Sequence, residues 1–380
     1  MNKRDNDEGI SLGIGATGKC PAQCDFCYSL PLRTHSLSFE DIKTIIEGKD
    51  KKIKSINFGT GESIYNDRAK FEEIIDYCHD REIKLSVTTN GITIDLLSDE
   101  RVRKFHDVDI SLDFATQEKH DKGRGEDFWG YAHAAMEKCR NLGVEFSIAM
   151  ALRNRNYKEI PAMLEKAAKE NCNLRLNIFK PVAESGIYRD KLNYEQFWES
   201  MGLLFKHGEL ISCSEPIVNA MLEIKPIVPE SPCGKNSLRI HPNGQVMPCV
   251  YWVNSMGPLT INADSEDQSK RKVIPADYWT KGGVFIKDLK ESFAPAFEAE
   301  SFRKIRTIPE YCTKKCDLVE ICGGGCAARR YLDGRLYEPD EYCPIYLGRE
   351  RPKIDVKLHE GEKDLIHSSY LCTLIFAGKK

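Results

Sequence analysis

The stretch ISLGIGATGKCPAQCDFC, residues 10–27, decides the fold. Its apolar run, Ile10–Ile14, predicts a buried first strand, and three cysteines follow in the spacing C-x3-C-x2-C. These are Cys20, Cys24 and Cys27, and residues 20–27 are called the cysteine loop below. In an α/β barrel the functional groups lie at the carboxyl ends of the strands. The stretch therefore predicts an α/β protein with its chemistry at the strand ends.

Five further β-rich runs alternate with amphipathic stretches as far as residue 190. They are Ser55–Phe58, Lys84–Thr89, Val108–Leu112, Glu145–Leu152 and Leu174–Phe179. Each gap is long enough for one crossover helix, a pattern typical of βα units on a parallel sheet. Ser38 is suited to cap one helix, and Gly143 to end another.

From about residue 225 the alternation stops, and proline, glycine and cysteine become frequent. That composition indicates an irregular region held by metal rather than by a large core. We expect a barrel over residues 1–222, a cysteine-rich domain over 223–350 and a tail over 351–380. The length of 380 residues, 41% of them apolar, is sufficient for such a two-domain chain.

Charge and hydropathy exclude several classes of function. Lysine and arginine total 55 residues against 58 acidic residues, so the net charge of -3 gives no general reason to bind nucleic acid or an anionic membrane. The N-terminus has no apolar core of a signal peptide, and no run of about 18 apolar residues occurs. We expect a cytoplasmic protein with neither a nucleic-acid partner nor a membrane partner.

Fifteen cysteines need an explanation in such a protein, because disulfides are rare in the cytosol. Cys78 and Cys139 recur at helical spacing with apolar residues, which predicts core positions. The three thiolates of the cysteine loop are suited to bind three irons of a [4Fe–4S] cluster and leave the fourth iron for a substrate or cofactor. A zinc site is the alternative, but zinc normally requires four ligands and the loop contains no histidine.

At this point the chain resembles the radical SAM superfamily, whose defining loop has this cysteine spacing with an aromatic residue, here Phe26, before the third cysteine. Three later strand ends are similar to the family's turns: Gly59-Thr60-Gly61-Glu62, called the glycine segment below, Thr89-Asn90-Gly91, and Ser111-Leu112-Asp113. The resemblance implies a partial (β/α)6 TIM-like barrel.

The same resemblance implies the cofactors and their contacts. The cysteine loop would bind the [4Fe–4S] cluster, and the glycine segment would contact the methionyl amino group of S-adenosylmethionine (SAM), with Glu62 as the partner of its ammonium. Ser111 and Asp113 would contact the ribose. The cluster would deliver one electron to SAM, and the resulting 5′-deoxyadenosyl radical would abstract a substrate hydrogen. An external electron donor such as flavodoxin or ferredoxin is implied.

Seven cysteines of the last third resemble the SPASM module of peptide-modifying radical SAM enzymes, although the Cys312–Cys316 interval is one residue longer than the commonest form. They are Cys233, Cys249, Cys312, Cys316, Cys322, Cys326 and Cys343. The resemblance assigns Cys233, Cys249 and Cys326, the near group, to one auxiliary iron–sulfur cluster. It assigns Cys312, Cys316, Cys322 and Cys343, the far group, to a second. Two zinc sites are the competing interpretation.

Two complete clusters need eight thiolates, so one ligand is missing from the seven. Cys213 lies just upstream of Cys233 and is the candidate. A free cysteine at a domain junction, or an open iron that contacts the substrate, are the alternatives.

Two departures bear on the substrate. Val250 stands where sulfatase-maturing enzymes carry a catalytic aspartate, which argues against sulfatase maturation. An aspartate of the following insert could take the place of that base; the candidates are Asp264, Asp267 and Asp277. Only 19 residues precede Cys20, so we expect any peptide to be held by a separate leader-binding protein or by the barrel itself.

Three functions remain open at this point. The first is modification of a ribosomally made peptide, by crosslinking or epimerisation. The second is radical oxidation, decarboxylation or rearrangement of a small metabolite such as a sugar derivative. The third is a non-catalytic iron–sulfur or zinc protein, against which the ordered SAM-contact motifs argue.

Overall fold

The computed structural model describes residues 9–47, 50–65, 67–181, 190–224, 233–252, 283–361, 363–366 and 373–378. Its strands are β1 Ile10–Ile14, β2 Ile53–Phe58, β3 Lys84–Thr89, β4 Phe105–Ser111, β5 Glu145–Leu152, β6 Asn173–Ile178, β7 Gly208–Cys213, β8 Ser237–Ile240, β9 Gln245–Met247, β10 Val284–Phe285 and β11 Leu374–Gly378. The candidate bases Asp264, Asp267 and Asp277 lie outside the described residues.

The α-helices among these residues fall into two sets. Those of the first 224 residues are α1 Phe39–Ile46, α2 Arg68–His79, α3 Ile92–Leu96, α4 Asp99–Val102, α5 Gln117–Arg124, α6 Phe128–Leu142, α7 Ile160–Lys169, α8 Tyr194–His207 and α9 Pro216–Met221. The later ones are α10 Ala294–Phe297, α11 Glu300–Ile305, α12 Glu310–Lys315, α13 Val319–Cys322 and α14 Ala327–Leu332. No helix within the described ranges is long and apolar enough to cross a lipid bilayer.

Strands β1 to β6 pair in chain order, each parallel to the next, and form a partial (β/α)6 barrel. The predicted fold class is confirmed. Every residue of β1 is buried, as expected for a strand of a parallel sheet that is covered on both faces. The predicted strands match the observed ones to within three residues at either end.

Local signals place the crossover helices. Ser38 caps α1 by accepting a hydrogen bond at Oγ from the backbone N–H of Asp41 at 3.1 Å, and the Asp41 side chain accepts in return from the Ser38 backbone N–H. Gly143 ends α6 with a φ of 69°, a left-handed conformation that glycine adopts at little cost. Both predictions are confirmed. Cys78 and Cys139 are fully buried in the core, as predicted.

The sheet continues beyond the six strands on both sides. Strand β8, from the predicted cysteine-rich domain, pairs parallel to β1, and β9 and β10 follow it. On the other side, β11 lies between β6 and β7 and is antiparallel to both. The segment expected as a tail thus contributes a strand to the central sheet, because its apolar residues Leu374, Ile375 and Phe376 are buried there. The domain boundaries themselves stay a prediction.

Candidate functional site

The carboxyl ends of the parallel strands surround a cavity of about 220 Å³. Each strand contributes to its wall: Cys20 after β1, Gly59 after β2, Asn90 after β3, Ser111 on β4, Ala149 on β5 and Lys180 after β6. Cys249, Tyr251 and Cys326 of the C-terminal region line the same cavity. The barrel and the cysteine-rich region therefore share one site.

All three cysteines of the cysteine loop line this cavity, and the sulfur of each has a polar side-chain neighbour. These are Asn90 Nδ2 for Cys20 at 3.6 Å, Arg124 Nη1 for Cys24 at 3.9 Å and Ser29 Oγ for Cys27 at 3.1 Å. Hydrogen bonds to cysteine sulfurs help set the reduction potential of a bound iron–sulfur cluster. The loop thus presents three sulfurs that are already surrounded by polar groups.

Burial disfavours the charged form of two of these thiols. It raises the pKa of Cys20 to about 12 and that of Cys24 to about 11. Such thiols ionise at neutral pH when a metal centre coordinates them. Within the described residues, no three His, Cys, Asp or Glu side chains lie close enough to bind a single metal ion. A [4Fe–4S] cluster differs in binding each cysteine at a separate iron.

Asp113 lies behind the cavity rather than in its wall. Its Oδ2 accepts a hydrogen bond from Arg124 Nε at 2.7 Å, and its Oδ1 accepts from the Ala151 backbone N–H at 2.9 Å. Burial opposes ionisation of this carboxyl, but Arg124 holds its pKa below the usual value. Asp113 therefore positions the guanidinium that faces Cys24, while Ser111 lines the cavity. A ribose contact of either residue stays a prediction.

The glycine segment packs directly on the residues that flank the cysteine loop. Glu62 N–H donates to the Lys19 carbonyl at 2.8 Å, and Thr60 Oγ1 lies 2.7 Å from the Tyr28 hydroxyl. Gly61 has a φ of 65°, and a Cβ there would lie 2.3 Å from the Thr17 carbonyl oxygen. Only glycine fits this approach. The four residues Gly59, Thr60, Gly61 and Glu62 all line the cavity.

Glu62 has a structural role that the sequence did not reveal. Its carboxylate is buried and accepts hydrogen bonds from Thr89 Oγ1 at 2.5 Å, from the Asn90 backbone N–H at 2.9 Å, and from both the backbone N–H and the hydroxyl of Thr93. Burial nevertheless raises its pKa above the usual value. Glu62 thus joins the loops after β2 and β3. Its contact with the SAM ammonium stays a prediction.

The near group comes together in a small apolar cluster. Cys233, Cys249 and Cys326 pack there with Met247 and Trp252. A hydrogen bond with the Cys233 thiol, together with burial, raises the pKa of Cys249. Because Cys249 and Cys326 also line the main cavity, this group faces the cysteine loop across it.

The far group lines a second, much smaller cavity of about 10 Å³, together with Ile217 and Met221. Its members are Cys312, Cys316, Cys322 and Cys343. Burial raises the pKa of Cys312 to about 11 and also raises those of Cys322 and Cys343. The structure therefore separates the seven cysteines into sets of three and four. Ligation of clusters by either set stays a prediction.

Cys213 stands apart from both sets. It ends β7, is buried in the core, and its thiol donates to the Glu215 carbonyl at 3.7 Å. Among the described residues it lines neither of the two cavities that the near and far groups line. Its role as the eighth ligand stays a prediction that no contact of this thiol supports.

A buried ion-pair network joins the two cysteine groups, and sequence analysis missed it. Arg329 Nε donates to Asp340 Oδ1 at 3.0 Å, and Arg329 Nη2 donates to Glu215 Oε1 at 2.8 Å. Asp340 Oδ2 accepts from the Cys326 backbone N–H at 2.8 Å. Asp340 thus contacts the near group through Cys326, and it precedes Cys343 of the far group by three residues. The sequence signal for this network was the position of two charged residues, Arg329 and Asp340, within a cysteine-rich segment.

Comparison with known proteins agrees with this geometry. Residues 14–167 match the family model of the radical SAM superfamily. Mycofactocin maturase MftC of Mycolicibacterium smegmatis is 24% identical over 357 residues, which cover 90% of this chain and 84% of that protein. PqqA peptide cyclase of Granulibacter bethesdensis is 23% identical over 363 residues, which cover 87% of this chain and 85% of that protein.

Among solved structures, native anSMEcpe with bound AdoMet aligns with a TM-score of 0.62 at 20% identity, over 89% of this chain and 94% of that chain. At this identity the likeness shows the fold alone. The family match and the two relatives that align along nearly the whole chain also indicate the class of enzyme. Residues 14–167 therefore form a radical SAM domain, and the relatives that align along nearly the whole chain are radical SAM enzymes of the SPASM type. Members of this superfamily use SAM and a [4Fe–4S] cluster.

Proposed function

We propose that this enzyme modifies a ribosomally made peptide, by forming a crosslink or by inverting a stereocentre. The observation that carries the proposal is the shared cavity, in which the cysteine loop and the glycine segment face Cys249 and Cys326. A site built from both regions suits a substrate that is held between them. The two relatives that align over most of the chain are named as a maturase and a peptide cyclase, which supports a peptide substrate.

In this proposal the cysteine loop holds the [4Fe–4S] cluster through Cys20, Cys24 and Cys27. The donor set fits, because three cysteines share one loop and the loops around them supply polar groups to each sulfur. Gly59, Thr60, Gly61 and Glu62, with Ser111, hold SAM against it. When bound, the cluster and SAM together supply a 5′-deoxyadenosyl radical that takes a hydrogen atom from the substrate.

The remaining residues of the site hold the loops in place and exclude water from the cavity. Arg124, held by Asp113, keeps a positive charge beside Cys24. Glu62 fixes the loops after β2 and β3, so that the glycine segment and Asn90 keep their places. Tyr28 and Tyr251 meet edge to face with their ring centroids 5.6 Å apart, and Phe179 and Val250 line the cavity, so this part of the wall is apolar. An apolar wall excludes water, which protects a reactive radical from side reactions.

The near and far groups are proposed to hold auxiliary iron–sulfur clusters, with Cys213 as the possible eighth ligand. These clusters would carry electrons to or from the substrate, and flavodoxin or ferredoxin would supply the electron for SAM cleavage. A separate leader-binding protein is proposed as a further partner for the peptide. The grouping of the seven cysteines into three and four supports this assignment.

The test is release of 5′-deoxyadenosine by anaerobically reconstituted enzyme supplied with SAM and a low-potential reductant. Peptide-sized and sub-kilodalton fractions of host extract are compared as stimulants. Stimulation by the peptide fraction is expected. Stimulation by the sub-kilodalton fraction alone would replace the proposal with chemistry on a small metabolite such as a sugar derivative.

A further inference from the structure

Lys180 occupies an unusual place in the cavity wall. It follows β6, and only 2% of its surface is exposed. Its Nζ donates one hydrogen bond, to the Ile178 carbonyl at 3.2 Å, and lies 4.8 Å from the centroid of the Tyr251 ring. An ammonium group has three protons to donate. Within the described residues Lys180 forms no ion pair, so two of its protons remain for a ligand.

Two other cations in the wall, Arg124 and Arg175, differ from Lys180 in this respect. Arg124 Nε lies 2.7 Å from Asp113 Oδ2, and Arg175 Nε lies 3.0 Å from Asp109 Oδ1. Each of these buried guanidinium groups therefore has a carboxylate partner. Burying an ammonium without such a partner costs several kcal/mol. A cation held at a cavity wall under these conditions is suited to an anionic ligand.

The surroundings of Lys180 favour a carboxylate attached to an apolar group. Phe179, Val250 and Tyr251 line this part of the cavity and supply apolar contact. Among the described lining residues the only carboxylate is Glu62, and its oxygens already accept hydrogen bonds from the loop after β3. No acidic side chain of the described wall therefore competes with a carboxylate that approaches Lys180.

We propose that Lys180 binds a carboxylate of the substrate, either the C-terminus of a peptide or an acidic side chain. This inference rests on the proposed function, because it takes the carboxylate to belong to a peptide. Recognition of this kind makes Lys180 a specificity residue: it selects peptides that place a carboxylate in the cavity. It also holds that carboxylate beside Cys249 and Cys326 of the near group.

Two other roles for Lys180 give different results. SAM carries a carboxylate of its own, but its predicted contacts lie after β2 and at the end of β4, whereas Lys180 follows β6. Lys180 also lies near Cys326: burial lowers the Lys180 pKa, but Cys326 and Glu215 raise it above the ordinary value overall. A lysine that only balances the charge of an auxiliary cluster would change the potential of that cluster and leave peptide recognition unchanged.

The experiment uses the peptide-sized fraction of host extract before and after conversion of its carboxylates to amides with a carbodiimide and glycinamide. Reconstituted wild-type enzyme is compared with Lys180→Gln, Lys180→Arg and the control Lys166→Gln. Lys166 lies on α7 outside the cavity, with its Nζ 4.8 Å from the Trp129 ring centroid, so it reproduces a lysine over an aromatic ring. The readouts are the fraction concentration that gives half-maximal 5′-deoxyadenosine release, the SAM dissociation constant without peptide, and the reduction potentials of the auxiliary clusters.

For the wild type, amidation is expected to raise the half-maximal concentration at least about tenfold, because it removes one charge-assisted contact. Lys180→Gln should show the same rise with the untreated fraction and become insensitive to amidation. Lys180→Arg should stay within about threefold of the wild type because it keeps the charge. Lys166→Gln should match the wild type, and SAM affinity should be unchanged in all variants.

Equal stimulation of the wild type by treated and untreated fractions would overturn the inference and leave the proposed function intact. A loss of SAM affinity in Lys180→Gln, with an unchanged half-maximal concentration, would assign Lys180 to the SAM carboxylate instead. A shifted potential of the auxiliary clusters with unchanged peptide dependence would reduce Lys180 to a charge-balancing residue. No stimulation by the untreated fraction would refute the proposed function itself, and the inference with it.

Discussion

The cysteine loop and the far cysteine group differ in what holds them in place. The cysteine loop follows β1, a buried strand of a parallel sheet, and the glycine segment packs against the residues that flank the loop through the Glu62 backbone. The far group lies on or beside α12 and α13, which are six and four residues long. Helices this short have no stability of their own in water. The cysteine loop is therefore supported by the sheet, whereas the far group depends on tertiary contacts and on its ligand.

This difference suggests that the barrel site is largely preformed, whereas the C-terminal region depends on its ligands and on the network of Arg329, Asp340 and Glu215. Metal binding contributes directly to folding where little regular structure is present. Loss of iron should therefore affect the two regions unequally.

Replacing Cys24 with alanine is expected to abolish SAM cleavage, because the two remaining cysteines leave two irons without a protein ligand and do not hold the [4Fe–4S] cluster in place. Most of the iron of the C-terminal region should remain. Iron content and 5′-deoxyadenosine release are measured together. Cys139→Ala is the matched control, because Cys139 is buried in the core on α6, away from both cysteine groups. Cleavage by the Cys24→Ala enzyme would refute the assignment of the loop.

Replacing Arg329 with methionine should destabilise the C-terminal region by about 3–5 kcal/mol, since it leaves two buried carboxylates without their partner. The denaturant midpoint of the C-terminal transition, followed by iron absorbance, is the measurement. Arg349→Met is the control, because the Arg349–Glu195 ion pair is exposed and such pairs contribute little. An unchanged midpoint in Arg329→Met would show that the network does not support this region.

Removal of iron by a chelator should make the C-terminal region sensitive to protease while the barrel stays resistant. The expected cleavages lie between residues 300 and 345, where the helices are short. Mass spectrometry of the fragments, with and without reconstitution, measures the effect. Equal protection of this segment in both forms would mean that its tertiary contacts suffice without iron.

Replacing Asn90 with alanine should lower the reduction potential of the barrel cluster by about 40 mV, the equivalent of one ordinary hydrogen bond of about 1 kcal/mol in a one-electron couple. The reason is that Asn90 Nδ2 donates to Cys20 Sγ, and such a bond favours the reduced, more negative cluster. Ser29→Ala, at Cys27, should act in the same direction. A redox titration followed by EPR tests this. Signals of the C-terminal clusters should not move, and a shift in them would indicate a general disturbance.

Several features were predictable because they depend on short-range patterns. Alternating apolar and amphipathic runs located β1, β3 and β5 to the residue, because a buried strand is recognisable from a short run of consecutive residues. The cysteine loop was recognisable because its three cysteines lie within eight residues. Helix signals at Ser38 and Gly143 were equally local.

Other features could not be predicted, since they join residues far apart in the chain. The hydrogen bonds of Asp113 with Arg124 and with the Ala151 backbone join residues that are 11 and 38 positions apart in the chain. Nothing near Lys180 in the sequence indicates that its ammonium faces the cavity. The pairing of β11 with β6 and β7 crosses about 160 to 200 residues, which no local pattern encodes.

The sequence by itself determined the family, the parallel sheet and the spacing of the cysteines, because helices, strands and ligand loops follow from residues that are neighbours in the chain. The tertiary structure alone shows that Cys249 and Cys326 of the near group line the cavity of the barrel, while the far group lines a separate, smaller cavity. It also decided which buried charges have partners. Burial and charge pairing depend on distance in space, and folding alone brings Arg329 to Glu215 or Lys180 to Tyr251.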